Sequence, residues 1–106
     1  MIKRLFILYL ISFCFSQEIY TEYLIMEGDT VDIFSYQIPA FYDESTPAPI
    51  LVAFHQWGGN ENSTYYTTFD EEANERGWIF MSPYGGSSNN YNHQGAQVMV
   101  KNEIIW

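Results

Sequence analysis

The chain of 106 residues carries 13 acidic against 4 basic side chains, a net charge of −9, one cysteine and 19% aromatic residues. That length holds one domain at most, and an apolar share of 47% calls for a buried core rather than disorder. The acidity excludes nucleic acid as a partner, since few cations exist to neutralise phosphates, and a single thiol excludes both a disulfide and a zinc–cysteine framework.

Met1 to Ser16 reads MIKRLFILYLISFCFS. A basic start (Lys3, Arg4), an apolar run from Leu5 to Phe15 and a small residue, Ser16, before the polar Gln17 make the three-part layout of a secretory signal peptide. The apolar run of about eleven residues falls short of the ~20 that span a bilayer, so no stable membrane anchor is expected. Residues 1–16 are expected to be removed, leaving 17–106 as a secreted or periplasmic chain without Cys14 or any other thiol.

Ile19–Met26 and Val31–Ile38 are rich in β-branched and aromatic side chains, with Glu27-Gly28-Asp29-Thr30 as a turn between them, so an antiparallel pair is predicted. Pro39 ends the second strand, and Ala40 to Pro49 is loop. Ile50–Phe54 is a continuous apolar run, the pattern of a strand covered on both faces. Tyr65, Phe69 and Ala73 then recur every four residues, which predicts a helix. Thr68 and Glu71 are spaced as a capping box, and Gly77 is placed to close the helix. Trp78–Ser82 is a second apolar run, stopped by Pro83. Strand, helix and strand at this spacing make a βαβ unit. Tyr84 to His93 is a polar, glycine-rich loop, and Gln97 to Trp106 starts another helix through Val98, Lys101 and Ile105.

Chemistry is best sought in Pro49 to Asn60, PILVAFHQWGGN. An apolar strand ends in His55, and the paired glycines Gly58 and Gly59 let the chain turn sharply and expose backbone N–H groups. The carboxyl end of a strand is where an open α/β sheet binds its ligand. From these residues alone the stretch is either an anion-binding turn or a tight corner.

Residues 31–106 resemble the N-terminal part of secreted α/β-hydrolases, nearest to the polyhydroxybutyrate depolymerase and feruloyl esterase group, with prolyl-oligopeptidase-type hydrolases next. The likeness rests on Pro47-Ala48-Pro49, the strand Ile50–Phe54, His55-Gln56-Trp57-Gly58-Gly59-Asn60, Ala73-Asn74-Glu75-Arg76-Gly77, Trp78–Met81 and Ser82-Pro83-Tyr84-Gly85, in that order and spacing. Gln56 stands where the family usually has glycine. The resemblance implies an α/β fold, namely an incomplete α/β-hydrolase-like sheet with antiparallel lead-in strands followed by the βαβ unit. It implies the central strand order 1-2-4-3-5. It also implies that the backbone N–H of Trp57 serves as one oxyanion donor beside Gln56, while His55, Gly58 and Gly59 shape the turn. A packing role for Trp57 is equally compatible with its residue type. The chain stops before the Gly-x-Ser-x-Gly elbow, and neither Ser82, Ser87 nor Ser88 sits in one, so no catalytic triad residue is expected within it.

Other features have plain readings beside the sharper ones. His93 reads as an exposed loop residue, and two histidines far apart predict no metal site. Asp70, Glu71, Glu72 and Glu75 read as a solvated helix face rather than a cation site. Asn62-Ser63-Thr64 is either a glycosylation sequon or a cap at a helix start. The aromatic residues either line a cleft or fill the core. The expectation is the N-terminal portion of a secreted serine hydrolase acting on small-molecule or polymeric carboxylic esters, with no cofactor and no activity of its own. A prolyl-oligopeptidase-type peptidase fragment and a non-catalytic secreted fragment or binding module are the alternatives.

Overall fold

The computed structural model describes residues 18–88, 91 and 94–106. The segment 1–16, read above as a signal peptide, and His93 lie outside the described residues. Four strands, β1 (Tyr20–Met26), β2 (Asp29–Gln37), β3 (Ile50–Val52) and β4 (Ile79–Pro83), form one mixed sheet in the order β1-β2-β4-β3. β1 and β2 pair antiparallel, as do β2 and β4, whereas β3 lies parallel to β4. The α/β class, the antiparallel lead-in and the βαβ unit therefore stand as expected.

The hairpin turns through Glu27 and Gly28, whose φ values are +53° and +85°. Two positive φ values in a two-residue loop define a type I′ turn, whose twist matches that of the strands it joins. Leu24 faces Asp32 and Ile25 faces Thr30, so Val31 is the extra residue of a β-bulge. Beyond the bulge the alternation of β2 sends Asp32, Phe34 and Tyr36 to one face and Ser35 and Gln37 to the other.

Each face is covered by a helical element. On the first face, helix α2 (Gln94–Ile104) lays Met99 against Leu24, Phe34 and Met81, and the Trp106 ring meets the Phe34 ring edge-on at 5.5 Å. On the second lie a short 3-10 turn (Ser63–Tyr66) and helix α1 (Phe69–Glu75). There the Tyr65 ring meets Phe80 edge-on at 5.2 Å, and the Ser35 hydroxyl donates to the Glu61 carbonyl oxygen at 2.7 Å. Phe34 and Phe80, almost wholly buried on opposite faces, anchor the two layers. Full burial of a side chain of this size is worth about 1.5–3 kcal/mol.

Four local expectations are corrected. The period-four segment from Tyr65 is two pieces, because Thr67 is extended (φ −110°, ψ −175°) and its hydroxyl donates to the Thr64 carbonyl oxygen at 2.6 Å. No capping box forms at Thr68; the Phe69 N–H is met instead by the Thr67 hydroxyl at 3.3 Å. β3 stops at Val52 rather than Phe54, and Ile50 and Phe54 are exposed rather than covered. Finally, α2 starts at Gln94 and buries Ala96 and Glu103, while Val98, Lys101 and Ile105 face outward. Gly77 does close α1: its N–H donates to the Asn74 carbonyl and that of Trp78 to the Ala73 carbonyl, the paired bonds of a Schellman motif.

Candidate functional site

The β3–β4 ladder runs on for one bond past Val52, the Ala53 N–H donating to the Met81 carbonyl oxygen at 2.9 Å. The chain then leaves the sheet and turns at Gln56-Trp57-Gly58-Gly59. The Gly59 N–H donates to the Gln56 carbonyl oxygen at 2.9 Å, and Gly58 has a φ of +80°. Positive φ at the third position is the mark of a type II turn, and glycine adopts it without strain. Gly59 is required for a different reason. A Cβ there would come within 3.0 Å of the Gln56 carbonyl oxygen and 2.9 Å of the Ser63 hydroxyl, closer than side-chain carbons approach.

The turn is braced from both sides. The Gly58 N–H donates to the Ser88 carbonyl oxygen at 2.8 Å, tying it to the loop after β4. His55 is buried, with Nδ1 2.8 Å from the Gln56 carbonyl oxygen and Nε2 3.0 Å from that of Tyr84. Its ring thus bridges the ends of β3 and β4, and the Tyr91 ring lies 4.8 Å from it. Tyr91 also packs edge-on to Phe54 at 4.7 Å, and its hydroxyl donates to the Pro83 carbonyl oxygen at 2.7 Å. Burial pushes the Tyr91 phenol well above its ordinary value, and the nearby acids Asp32, Glu103 and Glu61 push it further.

These bonds account for the N–H groups of Gly58 and Gly59. The Trp57 N–H makes no hydrogen bond among the described residues, and the indole above it is 78% exposed. Gln56, at the same turn, is exposed, and among the described non-glycine residues only Glu27 has a positive φ. A side chain at position 56 is therefore carried without backbone strain. Chemically, the turn offers the Trp57 N–H as a donor held by braced backbone at the carboxyl end of β3.

Asp32 was not singled out by sequence, yet it shapes the neighbouring loop. Its Oδ2 accepts from the Gly85 N–H at 2.8 Å and its Oδ1 from the Gly86 N–H at 3.0 Å. Gly85 and Gly86 have φ values of +73° and +76°, and a Cβ on Gly85 would run into the Tyr91 ring. The available signal was phase: Asp32 is an acid on the same face of β2 as Phe34 and Tyr36.

The remaining candidates separate from this turn. Ser82 is wholly buried in β4, whereas Ser87 and Ser88 lie partly exposed in the loop after it. Asp70, Glu71 and Glu72 occupy the first turn of α1, where acids complement the helix dipole, and Glu72 pairs with Arg76 one turn on. Asn62 sits at the N-cap of the 3-10 turn without a side-chain cap bond; just before it the Asn62 N–H donates to the Asn60 Oδ1 and the Asn60 N–H to the Ser63 hydroxyl, both at 2.9 Å. Among the described residues no group of three His, Cys, Asp or Glu is placed to hold a metal, and no helix is long and apolar enough to cross a membrane. No family model and no curated protein matches the chain.

Proposed function

We propose that this chain is the N-terminal part of a secreted serine hydrolase acting on carboxylic esters, with the nucleophile, acid and base supplied by residues beyond Trp106. The observation that carries the reading is the turn after β3. Among the described residues it leaves the Trp57 N–H without a partner, in a braced loop at the carboxyl end of a parallel strand. The order β1-β2-β4-β3 supports it too, being the order the resemblance implies up to a fifth strand beside β3.

In this reading a serine alkoxide attacks the ester carbonyl, and the tetrahedral oxyanion is held by the Trp57 N–H and an amide next to the serine. The His55 ring takes no part in proton transfer, since both its nitrogens face backbone carbonyl oxygens. Its role is to keep the donor still. No cofactor or metal enters the reaction.

The test is kcat of the extended enzyme on a soluble aryl ester, with circular dichroism to establish folding. Trp57→Ala keeps the N–H and is expected to retain most of the chemical step. Trp57→Pro deletes the donor; proline fits the second position of a type II turn, so the turn survives while kcat falls roughly 10²–10³-fold. Gln56→Gly is expected to be tolerated, because the turn uses the backbone carbonyl at that position, which glycine keeps. A folded Trp57→Pro enzyme with wild-type kcat would sink the proposal.

A further inference from the structure

Glu103 lies on the face of α2 that meets the sheet and is 3% exposed, yet neither carboxyl oxygen meets a donor group among the described residues. Beside it is Asp32, 6% exposed, whose two oxygens already accept the Gly85 and Gly86 N–H bonds. The two carboxyl groups are within hydrogen-bonding reach of each other between β2 and α2, with Phe34 and Met81 lining the same cavity as Glu103 and Leu24 facing Asp32 across the hairpin. Among the described residues no cation pairs with either. Two buried like charges at close quarters repel strongly, and burying even one unpaired carboxylate is costly.

We propose that α2 is a proton-dependent latch: Glu103 seats against Asp32 only when it carries a proton, and losing that proton loosens the helix from the sheet. The groups around the pair agree with this. β2 contributes Asp32, and the loop before α2 contributes Tyr91, whose phenol is raised by burial first and by both acids of the pair after it; Glu61 bears on Tyr91 and not on the pair. β1 and β4 contribute Leu24 and Met81, neither of which titrates. On α2 itself Lys101 points outward. Burial first, and Asp32 second, push Glu103 from an ordinary 4.5 to about 10.

The latch reaches the candidate site through backbone already described. Asp32 holds Gly85 and Gly86, next in the chain to Tyr84, whose carbonyl oxygen meets His55. Helix, acid pair and braced turn are therefore one connected set of contacts.

The sign follows from proton counting. Between the free and the seated value of Glu103, the docked helix binds one proton that the undocked helix does not. Docking is thus strongest below the ordinary carboxyl range and weakens up to tenfold per pH unit as pH rises toward the seated value. Amide hydrogen exchange on the full chain, corrected for the intrinsic exchange rate, reads this as falling protection in α2 between about pH 5 and pH 9. Glu103→Gln keeps the shape without the titration, so its α2 protection is expected to stay level over the same range. Infrared spectroscopy is expected to show a protonated-carboxyl C=O band at neutral pH that disappears in Glu103→Gln. Level protection in the wild type overturns the latch, and so does a pH slope retained in Glu103→Gln. Where that variant fails to fold, a wild-type spectrum without the band overturns it equally.

Discussion

Glu27 is the residue whose backbone conflicts most plainly with its side chain. At φ +53° it occupies the left-handed region, where a long side chain is disfavoured and asparagine or glycine is at home. The type I′ turn it forms with Gly28 prefers Asn-Gly above other pairs. Glu27→Asn is therefore expected to stabilise the chain by about 0.5–1 kcal/mol, an amount typical of relieved turn strain. Urea denaturation reads it as a higher midpoint at unchanged slope, and a lower midpoint would contradict the turn assignment. At the same scale, His55, Gly58 and Gly59 show why a short motif is hard to read in isolation. Gly59 serves a close local approach to Gln56 and Ser63, but His55 and Gly58 depend on partners far along the chain, Tyr84 and Ser88, that no local pattern names.

At the scale of elements, the strands were legible because their side chains are. Runs of Ile, Val, Tyr and Phe bounded by Gly, Asp and Pro mark β1, β2 and β4 to within about two residues. The period of the first helix was legible, but its interruption was not. Thr67 breaks it by turning its hydroxyl back on the Thr64 carbonyl, a local competition with helix bonding that periodicity does not register. α2 misleads in the other direction: its inward face carries Glu103, and an acid on a buried face looks like a solvent position until the proton is counted. β3 reads as a strand covered on both faces, yet Ile50 is exposed, and one edge of the strand is bare. An apolar groove of about 410 Å³ lies along it, lined by Leu51, Val52 and Phe69 among others. An exposed apolar edge is a template for pairing with another strand. Residues 17–106 alone are thus expected to self-associate with rising concentration, and Ile50→Lys, a charge on the edge, to shift them toward monomer. Sedimentation velocity decides; a wild-type monomer at high concentration would show that the edge is harmless.

For the whole molecule, two expectations reach past the described residues. The first is export: basic start, apolar run and small residue predict that secreted material begins at Gln17. Intact-mass analysis of the N-terminus checks it, and a stably folded protein retaining Met1 would refute it. The second belongs to the proposed function. Since α2 already supplies the helix after β4, only a connection and a strand must precede the elbow. A Gly-x-Ser-x-Gly is then expected roughly 10–25 residues beyond Trp106, from typical loop and strand lengths. Translating the reading frame past codon 106 settles whether it is there.

What the sequence by itself determined was the alternation of apolar and polar residues, and with it the α/β class, the hairpin and the strand–helix–strand unit. Those follow from local periodicity and turn chemistry, which need no knowledge of distant partners. Only the tertiary structure decided which backbone groups were already spent. It engaged the Gly58 and Gly59 N–H bonds, left that of Trp57 without a partner among the described residues, and fixed His55 between two carbonyl oxygens. It also brought Asp32 and Glu103, 71 positions apart, into one buried pair. Hydrogen-bond satisfaction and desolvation are properties of an environment, and the environment exists only once distant segments have packed.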